Sequence, residues 1–328
     1  MASLSRWTVV AALAAVGVTL ATVAHAAPVR VALGDIPGIE SIQTLAAIER
    51  AKERGVDVQL IVLNDEDLAA QAIVSGQADV GVGTPYTLIQ KVGVPIRLFA
   101  QISTLRFFPI VNSQFYKSWK DLDGKDIAVQ ARGSGTEAIM LLMAKRQGIK
   151  YSNVSYVPGS EVRRGALMQG TIRASIVDAA NRAIIMKEAP DRFMVLPVGD
   201  VRASDEALFA RADYLRTNAA AVDILVEELI KTAREITAKP SVAVDLRRKY
   251  KLLPDLGPSA DAEIEAYYRE TAEARALTLD GGSTAAKDDF DFFTLAGQIQ
   301  GDPATLKVAD FWDLGPMQRA VAKLGPAR

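Results

Sequence analysis

Residues 126–136, Asp-Ile-Ala-Val-Gln-Ala-Arg-Gly-Ser-Gly-Thr, and the helix-patterned residues that follow to Gly148 decide the fold of this chain. Ile127 to Gln130 reads as a short buried strand and Arg132-Gly133-Ser134-Gly135 as a tight loop. Ile139, Leu142 and Met143 form the apolar face of a helix that Gly148 stops. Strand Val154 to Val157, helix Glu161 to Met168 with its Gln169-Gly170 stop, strand Ala174 to Val177 and loop Asp178-Ala179-Ala180 complete the unit.

The same order stands upstream. Strand Val29 to Leu33 leads through loop Gly34 to Gly38 into a helix with Ile42, Leu45, Ala46, Ile48 and Ala51 on one face, stopped at Gly55. Strand Val56 to Leu63, helix Asp67 to Val74, a Ser75-Gly76 stop, strand Ala78 to Val82 and loop Gly83-Thr84-Pro85 follow. The paired stop glycines, 55 with 148 and 76 with 170, lie 93 and 94 residues apart. Two equivalent β-α-β-α-β lobes are the expectation, because each apolar strand needs helices over its faces.

Leu98 to Val111 and Phe193 to Val198 read as extended crossings, making a hinge with a cleft between the lobes. From about Ala203 the pattern turns helical. Thr217 or Asn218 caps a helix with Val222, Leu225, Val226, Leu229, Ala233 and Ile236 in one stripe. A second helix after Pro258-Ser259 carries Ile264, Tyr267, Tyr268 and Thr271 on a face, and aromatics gather at Phe290 and Phe311-Trp312. The tail reads as a buttress packed on lobe one. The expected organisation is an α/β fold: signal peptide 1–26, lobe one 27–105, lobe two 106–196, and a return to lobe one with C-terminal helices at 197–328.

The first segment has the form of a secretory signal: Arg6, an apolar run from Thr8 to about Ala24, and the small-residue pattern Ala24-His25-Ala26 before Ala27. Cleavage near Ala27 removes the only histidine, and there is no cysteine. Histidine- or cysteine-based nucleophiles, HExxH and Cys/His zinc sites and redox pairs are thereby excluded by inventory, as is lipid attachment to a mature N-terminal cysteine. Without Arg6, 37 basic residues face 39 acidic ones, so charge gives no global pull toward nucleic acid or membrane. A freely diffusing, monomeric periplasmic protein is expected, with no cofactor and no metal.

Three stretches carry a resemblance: LAAQAIVSGQADVGVG at residues 68–83, WKDLDGKDIAVQ at 119–130 with GSGT at 133–136, and ALMQG at 166–170. They resemble the SsuA/NitT/TauA-like (NMT1-like) periplasmic substrate-binding proteins of ABC transporters over about residues 28–240. The resemblance implies a type II-like two-lobe binding-protein fold and capture of a small solute in the cleft for an inner-membrane permease. It implies binding rather than catalysis. Fungal relatives that make a pyrimidine use a histidine and a cysteine cluster, which this chain lacks in its mature part.

The residues themselves suggest where a solute sits. Arg132, Ser134, Gly135 and Thr136 open a helix, whose free N–H groups and dipole suit an anion, with the two hydroxyls adding donors. Pro37 and Gly38 in the matching loop of lobe one, and Thr84, Pro85, Tyr86, Asp178 and Asn181 at strand ends, should complete the walls. Arg163, Arg164 and Arg182 read as solvated or ligand-facing, Tyr86 as wall or core, and GSGT as grip or simple turn. These helix ends and arginines favour an anion, which the resemblance implies to be a sulfonate, taurine, nitrate-like or aromatic carboxylate ligand, although Asp35, Glu40, Glu161 and Asp178 could face the same cleft. The acidic groups 64–67 and 288–291 lack calcium-loop spacing and read as surface. A ligand-presenting partner of a sensor, or a carboxylate-based enzyme, remains open at this point.

Overall fold

The computed structural model describes residues 28–63, 65–199 and 201–327; the signal segment and its cleavage point lie outside them. Lobe one begins with β1 (Val29–Leu33), α1 (Ile42–Glu53), β2 (Val58–Val62), α2 (Glu66–Ser75), β3 (Val80–Gly83), α3 (Tyr86–Lys91) and β4 (Ile96–Thr104). Lobe two holds β5 (Phe107–Asn112), β6 (Asp126–Val129), α4 (Gly135–Gln147), β7 (Asn153–Tyr156), α5 (Ser160–Gln169), β8 (Ala174–Asp178), α6 (Ala179–Glu188) and β9 (Phe193–Val195). The chain returns through β10 (Ser204–Arg211), α7 (Ala212–Thr217), α8 (Ala219–Ala238), α9 (Val242–Tyr250), α10 (Ala260–Glu273), α11 (Ala285–Ala296), α12 (Val308–Phe311) and α13 (Gly315–Leu324).

Two five-stranded mixed sheets result, ordered β2-β1-β3-β10-β4 and β7-β6-β8-β5-β9. In each, three strands run parallel and the fourth strand in the order runs antiparallel to both neighbours. The stretch from Leu98 to Val111 is two strands belonging to different sheets, leaving only Leu105 and Arg106 between them. The second crossing runs from 196 to 203, and the two touch where Leu105 N–H donates to the Ala203 carbonyl at 2.9 Å.

The four stop glycines share one geometry, φ 87 and 62 at Gly55 and Gly148, 75 and 80 at Gly76 and Gly170. That left-handed backbone is where glycine ends a helix without a Cβ penalty. β3 and β8 are buried along their whole length, as expected of strands covered on both faces. The stripe from Val222 to Ile236 is buried throughout, with α8 packed on α1 and α13. The tail rests on lobe one and also reaches lobe two, since α11 packs against α4 and Phe293 shares a core with Ile139.

Candidate functional site

The cleft between the sheets holds about 1070 Å³, counting space continuous with solvent, and both lobes and α10 line it. Ser134, Gly135, Thr136 and Asp178 are in its wall. Thr84, Pro85 and Arg132 line a separate recess beside Glu66, Asp67 and Lys91, and the Arg132 guanidinium stacks 4.9 Å over the Tyr156 ring. Pro37, Gly38 and Asn181 are outside both linings. Asn181 acts on the cleft indirectly: its backbone and side-chain nitrogens each donate to an Asp178 carboxylate oxygen at 2.8 Å.

Tyr86 is core, at 1% exposure. Its hydroxyl donates to Asp289 at 2.5 Å and accepts from Trp312 Nε1 at 2.8 Å, while Ser204 donates to the same carboxylate through N–H and hydroxyl. Asp289 is therefore no surface residue, and Glu66, half-buried, lines the cleft. An isolated acidic run gives no sign of which member turns inward.

The GSGT loop spends its own polar groups. Gly133 N–H donates to Glu137 Oε2 at 2.7 Å, Ser134 Oγ donates to the Ala131 carbonyl at 2.8 Å, and Gln130 N–H donates to Thr136 Oγ1 at 3.0 Å. The positive φ in this loop is at Gly133, not Gly135. Gly135 instead serves contact, because a Cβ there would fall 2.3 Å from Leu105 Cδ2. Thr136 and Ser134 hydroxyls lie 2.8 Å apart, closing the turn on itself.

Each helix N-terminus near the cleft carries an acid of its own chain. Glu40 stands in the first turn of the 3-10 segment before α1, Glu66 in α2, Glu137 in α4 and Glu161 in α5, and Asp178 caps α6. These carboxylates already complement the dipoles that an anion would use.

Five carboxylates of lobe one (Asp35, Glu40, Glu66, Asp205, Glu206) and two of lobe two (Glu161, Asp178) line the cleft. Burial, with Asp35 and Glu206 nearby, pushes Glu66 up to about 8. Burial and Asp35 push Glu206 up to about 7. Glu40 and Asp205 are raised well above the usual carboxylate range, again by burial first and then by neighbouring acids.

The lining has one basic residue, Arg106, and it pairs with Glu270 at 2.6 Å. Glu270 also takes Arg182 of lobe two at 2.9 Å, so the ion triad joins α10 to α6. Arg163, which the sequence leaves as solvated or ligand-facing, is 1% exposed and donates to neutral acceptors: Ile176 O, Gln130 Oε1, Val157 O and Ser160 Oγ. It fixes the floor of lobe two rather than gripping a ligand directly. Burial lowers its pKa, with Asp35 and Asp178 opposing.

Sequence reasoning missed α10 altogether as a wall. Tyr267 and Thr271 line the cleft, and Tyr268 Oη accepts Gln43 N–H at 3.1 Å while lying 3.0 Å from the Ile39 and Glu40 carbonyls. The tail thereby positions Glu40 and Gln43. Among the described residues no group of three His, Cys, Asp or Glu side chains is arranged to hold a metal ion, and no helix is long and apolar enough to cross a membrane.

Two mixed sheets with an antiparallel returning strand, hinged over a cleft, define the two-lobe fold of periplasmic binding proteins. The chain belongs to the NMT1/THI5-like family, whose profile matches residues 44–243. A Bordetella bronchiseptica structure is similar at TM-score 0.72 and 21% identity, over 92% of this chain and 99% of that one. The alkanesulfonate-binding protein SsuA of Xanthomonas axonopodis bound to MOPS is similar at TM-score 0.63 and 15% identity, over 85% and 96%. The periplasmic nitrate-binding protein NrtA of Synechocystis is similar at TM-score 0.65 and 13% identity, over 92% and 90%. No curated protein matches the chain in sequence.

Proposed function

We infer that this protein is the solute-binding component of an ABC importer, exported to the periplasm, holding a small molecule between its lobes and handing it to an inner-membrane permease. One observation carries the reading: the cleft wall is shared by both lobes and the short crossing between them. A solute touching both walls realises its binding energy only when they approach, which is what couples capture to a shape a permease can read. Binding rather than chemistry is favoured because the family match and the similar structures are those of solute-binding proteins. The sulfonate, taurine, nitrate-like or aromatic carboxylate ligand expected from sequence is set aside in favour of one matched to the acid-rich lining.

A thermal-shift screen of small metabolites, followed by small-angle scattering with each hit, tests this. A hit should raise the melting temperature, because it binds only the folded state, and should make the molecule more compact. Loss of uptake of that solute on deleting the gene completes the case. A melting temperature that no small molecule moves would count against it.

A further inference from the structure

We propose that the cleft takes a small organic cation that also carries an uncharged hydrogen-bond acceptor, such as an amino alcohol, an amino amide or a hydroxyl-bearing amidine. This rests on the solute-binding reading above and narrows its substrate class.

Charge is the first ground. Seven carboxylates from two lobes face one cleft, and its single lining cation, Arg106, is already held by Glu270. Arg163 sits behind the wall, donating four hydrogen bonds to neutral acceptors. In a site partly shielded from water, charges a few ångströms apart interact several-fold more strongly than in bulk solvent. A cation among these acids stabilises their ionised forms and relieves the repulsion they exert on one another, which an anion cannot do.

The second ground is independent of the acids. Gln43 lines the cleft at 1% exposure, and its Nε2 has no hydrogen-bond partner among the described residues. Buried donors are almost always satisfied. Tyr268 Oη accepts the Gln43 backbone N–H, which holds the point from which the side chain enters the wall. A free amide donor in a wall of acceptors selects a ligand acceptor beside the cationic centre. A bare polyamine offers none, and a simple metal ion offers neither feature.

Titration calorimetry should compare 4-aminobutan-1-ol, 4-aminobutanamide and 4-hydroxybenzamidine with 4-hydroxybutanoate, propanesulfonate, 1,4-butanediol and calcium chloride. Binding of one or more of the three cations, with none of the other four matching it, supports the proposal. Glu206→Gln should weaken that binding about tenfold, the loss of one charge-assisted contact, and Gln43→Leu should weaken cations with an acceptor but not butylamine. Circular dichroism and the melting temperature establish that each variant is folded. Glu206→Gln should be no less stable than the parent, because it removes repulsion. Binding of the anions, the diol or calcium in preference to the cations overturns the charge assignment while leaving the solute-binding reading intact. Silence from all three cations overturns the proposal too, and silence from every molecule in a wide metabolite screen would sink the solute-binding reading with it.

Discussion

Glu137 Oε2 accepts the backbone N–H of Gly133 at 2.7 Å, placing a carboxylate of the chain itself where a bound anion would sit at the head of α4. The neighbouring hydroxyls are equally committed. Ser134→Ala should therefore act on stability rather than on ligand affinity. Loss of an N-cap costs about 1 kcal/mol. Urea unfolding should show that loss, with affinity for the cognate solute changed by less than about twofold, well under the 1.4 kcal/mol of a tenfold effect.

Stability should fall as pH rises. Glu66 and Glu206 have folded-state values near 8 and 7, above the ordinary 4.5. The folded state therefore binds more protons than the unfolded state between those limits, and the slope of unfolding free energy with pH is negative there. Ligand-free protein should melt highest near pH 5 and lower at pH 8. Glu66→Gln should flatten the fall, and a melting temperature that climbs over this range would contradict the electrostatics of the cleft.

Glu270 should hold the lobes together. It joins Arg106 of the crossing and Arg182 of α6 at 2.6 and 2.9 Å from α10. Glu270→Gln should enlarge the radius of gyration of the ligand-free protein in scattering, and added salt should reproduce part of that opening in the parent.

Gly81 admits the Phe209 ring. A Cβ at Gly81 would fall 2.2 Å from Phe209 Cζ, so Gly81→Ala should cost about 1–3 kcal/mol by overpacking. Phe209→Leu on the same background should recover part of it, which chemical denaturation of the single and double variants would measure.

Export should trim the chain. Mass spectrometry of a periplasmic extract is expected to find an N-terminus near Ala27, and recovery of the full-length chain in membranes would speak against cleavage.

The elements were legible because their signals are local. Apolar period, a cap and a glycine stop are all written within a dozen residues, and Gly76 and Gly170 adopt the left-handed backbone that their role as stops requires. The site was less so. Ser134, Thr136 and Asp178 were found in the wall, yet the partner that fills the loop, Glu137, is chosen by side-chain geometry that spacing does not record. Asp205, Glu206 and Tyr267 come to the cleft from segments distant in sequence. Tyr86 follows a strand-end loop, as a wall residue would, but three aromatic rings of the tail take it into the core. Only the sheet order and the return of α10 settle such cases.

Leu105 is both half of the shorter crossing and the side chain that rests on Gly135. Lobe two thus meets the crossing where a methyl group is seated against a bare backbone, a fit whose clearance is one missing Cβ. Gly135→Val would wedge a side chain into that contact and alter the cleft wall that Gly135 helps to form. Exchange of other wall residues can change ligand preference without disturbing this seat, while this one glycine answers both to the crossing and to the cargo.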